Sequence, residues 1–126
     1  MISFTVDINP LPKERPRLGN GHAYTTAKTR DYEHTIAQYA LITMNQAQLD
    51  TMEGDLGLIV RFYRKDNRRV DLDNLLKAIK DALNGIIWYD DSQVTSVYAK
   101  LERNAGKSAR VEIEVMLVSK FVIMEY

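Results

Sequence analysis

The sequence predicts an α+β fold: a single domain in the order β-α-β-α-β-β, with a mixed sheet of about four strands and two helices on one face. Three observations lead there. Short segments with apolar residues at alternate positions recur at 2–8, 54–64, 94–103 and 110–118. Two longer segments, 29–48 and 72–83, carry apolar residues at helical spacing instead. A chain of 126 residues with 45% hydrophobic content also suits one domain with a proper core.

The first strand ends at Asn9-Pro10. Residues 9–28 then read as a long Pro/Gly-punctuated loop holding Lys13, Arg15, Arg17, Tyr24 and Thr25, with Glu14 its one acid. A loop of that length without regular structure is functional or mobile, and its composition suits contact with a phosphate backbone. In the first helix Tyr32, Ile36, Tyr39, Ala40 and Met44 share a face. His22 and His34 have neither an i, i+4 partner nor a carboxylate at ligand spacing, so they read as incidental. Leu56, Leu58, Val60 and Phe62 form one face of the next strand. That strand feeds a basic stretch, where residues 61–69 hold Arg61, Arg64, Lys65, Arg68 and Arg69 against the single acid Asp66.

The second helix is marked by Leu72, Leu75, Leu76, Ile79 and Leu83, and Asn84-Gly85 stops it. Trp88 reads as a core anchor beneath an acidic loop that ends in Asp90-Asp91. Two further strands follow, with 104–108 as the hairpin turn between them. The apolar 121–124 tail is suited to extending a strand or packing on a partner.

The densest chemistry lies between Asp71 and Asp91. Two residues apart inside a helix, Asp71 and Asp73 would point away from one another. At a helix start they need not. Asp71 fits the N-cap and Asp73 the first turn, where both meet the positive end of the helix dipole. Lys77 follows Asp73 by four residues and shares its face. If the 86–91 segment folds back along the helix, Asp91 joins them. Three carboxylates beside a Lys make a hard-oxygen site suited to Mg²⁺ or Mn²⁺, of the kind that polarises a phosphodiester and activates water. Each carboxylate also has a plainer use, Asp71 as a cap and Asp90-Asp91 in a turn. A calcium loop counted from Asp71 fails, because its positions five and six are Leu75 and Leu76 and no Glu follows at twelve.

Formal net charge is zero, but its distribution is uneven. Residues 71–91 hold five acids against Lys77 and Lys80, directly after the basic stretch. A phosphate grip beside an acidic pocket is what a metal nuclease requires. The absence of Cys excludes disulfides, thiolate zinc sites and a Cys nucleophile. The alternating start lacks a signal-peptide pattern, and no apolar run reaches membrane-spanning length, so a soluble cytoplasmic protein with no membrane partner is expected.

At Arg69-Val70-Asp71-Leu72-Asp73-Asn74-Leu75-Leu76-Lys77, Asp81-Ala82-Leu83 and Trp88-Tyr89-Asp90-Asp91-Ser92-Gln93-Val94 the chain resembles the RusA-type Holliday junction resolvases. Pro12-Lys13-Glu14-Arg15-Pro16-Arg17 and Ala23-Tyr24-Thr25 resemble their phage and prophage branch. The likeness runs from about residue 8 to 117. It implies a Mg²⁺-dependent endonuclease, Mn²⁺ serving as a substitute, that resolves four-way DNA junctions in recombination and repair. It implies Asp71, Asp73 and Asp91 as metal ligands and Lys77 as the group that stabilises developing charge. Asp90 would orient Asp91, and Lys13, Arg15, Arg17, Arg68 and Arg69 would contact DNA. Asn74 and Gln93 match the pattern without an assigned role. A homodimer is expected, because a two-fold junction needs two related cuts. The alternatives are a general branched-DNA or flap nuclease with the same site, and a non-catalytic DNA-binding module of the same fold.

Overall fold

A computed structural model describes residues 1–14, 17–19, 22–24 and 26–121. Strand β1 (Ile2–Val6) leads into a segment that carries a small antiparallel hairpin, β2 (Arg17–Gly19) and β3 (His22–Tyr24). Then come helix α1 (Ala27–Gln46), strand β4 (Leu56–Tyr63), helix α2 (Leu72–Leu83), strand β5 (Val94–Glu102) and strand β6 (Arg110–Leu117). The expected α+β architecture is present: one four-stranded mixed sheet in the order β1-β6-β4-β5.

β4 is the interior strand that receives both kinds of neighbour. It pairs antiparallel with β6 and parallel with β5, across the α2 crossover. Its alternation gives the core face: Leu56, Leu58, Val60 and Phe62 are wholly buried, level with Val111, Ile113 and Val115 of β6. Ile2 and Val6 extend that face through β1. Tyr32, Ile36, Ala40 and Met44 of α1, with Leu75, Ala78, Ile79, Ala82 and Leu83 of α2, complete the same core. Both helices therefore pack on one face, as two amphipathic stripes must when one sheet face is apolar. The opposite face carries side-chain pairs, Arg61 with Glu114 at 2.7 Å and Arg110 with Glu112 at 2.8 Å, and the Arg110 guanidinium lies over the Tyr63 ring at 3.8 Å.

Three sequence expectations change. Residues 9–28 are not without regular structure, since the β2–β3 hairpin lies within them. α1 starts two residues before 29 because Thr26 caps it, its hydroxyl accepting from the Thr29 amide at 3.4 Å. Segment 104–108 is not a hairpin turn between neighbours, because β6 lies beyond β4 from β5. Instead 104–106 crosses the end of β4 and bonds its continuation. The amides of Asn104, Ala105 and Gly106 donate to the carbonyls of Asp66, Arg64 and Lys65. At the end of α2, Gly85 has φ +78°, the left-handed position the expected stop requires.

Replacing Phe62 with Ala empties the centre of this core. Chemical denaturation should show a loss of about 3–5 kcal/mol with an unchanged slope on denaturant.

Candidate active site

The start of α2 is built by its own sequence. Asp71 keeps extended backbone (φ −80°, ψ 121°), and its side chain accepts from the Asp73 amide at 2.8 Å. That bond occupies one carboxylate oxygen. Asp73 lies exposed in the first turn, near the unpaired amides of the helix end. The segment after β1 docks beside it, the Lys13 amide donating to the Asn74 carbonyl at 2.8 Å.

The acidic loop is held from below and from the side. Trp88 is wholly buried, as expected for an anchor, and its indole N–H donates to the Asn84 side chain at 2.7 Å. Gln93 fastens the loop to the chain before β4. Its carbonyl accepts from the amides of Tyr89 (2.8 Å) and Asp90 (3.1 Å), and its amino group donates to the carbonyls of Met52 (2.9 Å) and Gly54 (3.0 Å). All four hydrogen-bonding positions of the amide are thereby used. Asp90 caps the short 3-10 turn Asp91–Gln93 by accepting from Ser92, and the Ser92 hydrogen bonds hold its carboxyl below the usual carboxylate range. The acid that caps the turn thus fixes the backbone on which Asp91 stands. The Asp-x-x-Gln spacing of a capping box was the available signal for Gln93.

Asp73 and Asp91 line one open groove of about 230 Å³ along α2, together with Leu76, Lys77 and Lys80. Asp71 is not among its walls. Among the described residues no three acidic or imidazole side chains gather closely enough to hold a metal ion by themselves. The crossover explains this. β4 and β5 are parallel, so α2 runs back along the sheet, entered from the Asp71 cap and left toward the loop that carries Asp91. Asp91 meets the groove with Asp73, Leu76, Lys77 and Lys80, while Asp71 stays at the cap, outside its walls.

The basic residues divide between internal and outward use. The Lys13 ammonium sits between Glu33 of α1 (2.6 Å) and Asp81 of α2 (3.1 Å). Burial opposes its charge, but the hydrogen bonds to Glu33 and Asp81 outweigh burial and raise its pKa. Lys77 reaches the same Asp81 at 3.5 Å while its side chain stays 60% exposed. Arg61 is held by Glu114 on the open sheet face. Arg64 is buried, donating to the Pro10 carbonyl and to Asp66. Lys65, Arg68 and Arg69 are exposed on the connection to α2, where the Arg68 carbonyl accepts from Arg103 at 3.3 Å. Arg17 opens β2, and Arg15 lies outside the described residues, as does the tail past Phe121.

The chain that carries this groove matches a family with a named activity. The family model for Endodeoxyribonuclease RusA matches residues 7–116. The protein YqaN of Bacillus subtilis is 29% identical, covering 94% of this chain and 97% of that one. The crossover junction endodeoxyribonuclease RusA of Escherichia coli K12 is 29% identical, with 90% and 92% covered. The protein of that name from Shigella sonnei is 28% identical over the same shares. Because the family match spans both acidic motifs, α2 between them, β4, β5 and all but the last residue of β6, this chain belongs to the RusA family of endodeoxyribonucleases, hydrolases that act on DNA.

Proposed function

We propose that the protein is a Mg²⁺-dependent nuclease that resolves four-way DNA junctions by paired cuts, acting as a symmetric homodimer in the cytoplasm of a bacterial or phage-infected cell. The observation that carries this reading is the groove itself: two carboxylates, the exposed Asp73 and the half-buried Asp91, flank the ammonium-bearing face of α2 in a chain of the RusA family. The donor set fits a hard cation. Mg²⁺ is commonly held by one or two carboxylates, with waters and substrate phosphates completing its shell. Asp73 and Asp91 would hold it, with the second oxygen of Asp71 in reserve. When bound, such an ion supplies Lewis acidity toward the phosphodiester.

The chain's own groups do the rest. Lys77, exposed and only loosely tethered to Asp81, presents a positive charge to the phosphate or the departing oxygen. Asp90 and Gln93 fix the direction of Asp91. Arg68 and Arg69, and by resemblance Arg15 and Arg17, grip the backbone. Lys13 belongs to that basic set by sequence, and its ion pairs with Glu33 and Asp81 give it the further task of clamping the strap after β1 onto both helices. A dimer follows from the substrate. One groove makes one cut, and a two-fold junction needs two. Among the described residues no helix is long and apolar enough to cross a membrane.

Asp73→Asn and Asp91→Asn should each lower junction cleavage about 100-fold or more while junction binding and melting temperature hold, and wild-type cutting should cease in chelator. Near-normal cutting by either variant removes that residue from the site. A panel of flaps and forks cut as fast as four-way junctions would favour the general branched-DNA reading.

Arg68→Ala and Arg69→Ala should each weaken binding to every DNA sequence alike and reduce the slope of log affinity against log salt by about one. A loss confined to one sequence would mean that the residue reads a base.

Mixing wild-type with Asp73→Asn subunits should yield a species that nicks one strand of a junction. Sedimentation at micromolar concentration should give twice the chain mass. A monomer that still makes paired symmetric cuts would overturn the dimer.

A further inference from the structure

Outside the acidic groove a cavity of about 470 Å³ lies between the segment after β1, the first half of α1 and the connection leaving β4. It shares no residue with the groove. Two of its walls are polar side chains at least nine-tenths buried: Tyr32 at 4% exposure and Arg64 at 5%. The Arg64 Nε–H is buried without an acceptor among the described residues. The Tyr32 hydroxyl approaches the Leu11 backbone without meeting it in hydrogen-bond geometry. Buried donors left in that state cost free energy, about 1–3 kcal/mol each, so they are met by a bound water, ion or ligand acceptor.

The charge around them specifies the ligand. Lys28, Lys65 and Arg68 line the same cavity, all three exposed and none in a salt bridge among the described residues. Its acids are Asp31 and Asp66, and Asp66 is already engaged by the Arg64 guanidinium at 3.3 Å and the Arg68 amide at 3.2 Å. With Arg64, four cationic side chains stand against two carboxylates. Burial raises the Tyr32 phenol well above its ordinary pKa, so it stays a protonated donor at neutral pH. Buried donors at the floor with cations at the rim are the recognition set of a phosphate. Arg68 precedes Asp71 by three residues, so a strand held here leads toward the start of α2.

We propose that this cavity is a second DNA contact, a pocket that seats one backbone phosphate of a DNA arm on Arg64, Tyr32 and the Lys28–Lys65–Arg68 rim, apart from the acidic groove. It rests on the reading that this chain acts on DNA. It differs from a surface grip because its floor is buried and its donors are fixed before binding.

The test follows the Arg64 Nε–H resonance of the full chain by proton–nitrogen NMR, without metal. Thymidylyl-thymidine, thymidine monophosphate, inorganic phosphate and a short duplex are added in separate titrations. The expected result is a saturable shift with the dinucleotide diester and with duplex. The double variant Lys28→Ala/Lys65→Ala, which alters only exposed side chains, should bind duplex about 10-fold more weakly with a salt slope lower by about two, and Lys28→Arg/Lys65→Arg should restore both. An unmoved Arg64 resonance at saturating duplex, with junction cutting intact, overturns the pocket and leaves the nuclease reading standing. A shift with inorganic phosphate or the monophosphate but not with the diester also overturns it, as an anion site that DNA does not enter. A diester-induced shift in a protein that cuts no junction in Mg²⁺ upholds the pocket and removes the junction nuclease.

Discussion

The structure depends on the pairing of β4 with a parallel neighbour on one side and an antiparallel one on the other. A parallel neighbour that follows in sequence requires a crossover, and α2 is that crossover. The connection entering α2 becomes the basic loop, and the connection leaving it becomes the acidic loop. Both chemical segments are thus by-products of one strand pairing. The same pairing buries Leu56, Leu58, Val60 and Phe62, so the element that positions the groove is also the centre of the core.

Charge is divided by solvent access. Arg64 and Lys13 are the inward cations, each tied to acceptors on other segments, and they staple the strap after β1 to the rest. Removing one partner of such a bond leaves a poorly solvated group unmatched, a larger loss than the bond itself contributes. Lys65, Arg68, Arg69 and Lys77 are exposed cations about the entrance and face of α2, Lys77 held only by a 3.5 Å pair with Asp81. A net charge of zero conceals this division, because the cations that face solvent at the α2 entrance are not those cancelled by nearby acids.

The acidic loop shows how a neutral side chain organises charged ones. Gln93 bonds two amides of the loop and two carbonyls before β4, while Trp88 and Asn84 fasten the loop to the end of α2. A loop backbone held at this many points leaves little to order around Asp91, which lowers the ordering cost of any ligand that enters the groove.

Much was legible in the amino-acid sequence alone. Alternation marked the four sheet strands, helical spacing marked α1 and α2 to within two residues, and Asp71, Asp73, Gly85 and Trp88 stood where local chemistry requires a cap, a first-turn acid, a stop and an anchor. These features depend on neighbours a few residues away, so the chain determines them by itself. Tertiary structure alone decided the rest. Strand order is set by long-range register, which placed β6 beyond β4 and made 104–108 a crossing loop. Packing put Asp91 in one groove with Asp73, Lys77 and Lys80 and left Asp71 outside its walls. The inward turn of Lys13 and Arg64, and the cavity above Tyr32, came from segments tens of residues apart. Charge and spacing are written locally, whereas which charges meet solvent and which meet one another is settled only when distant segments pack.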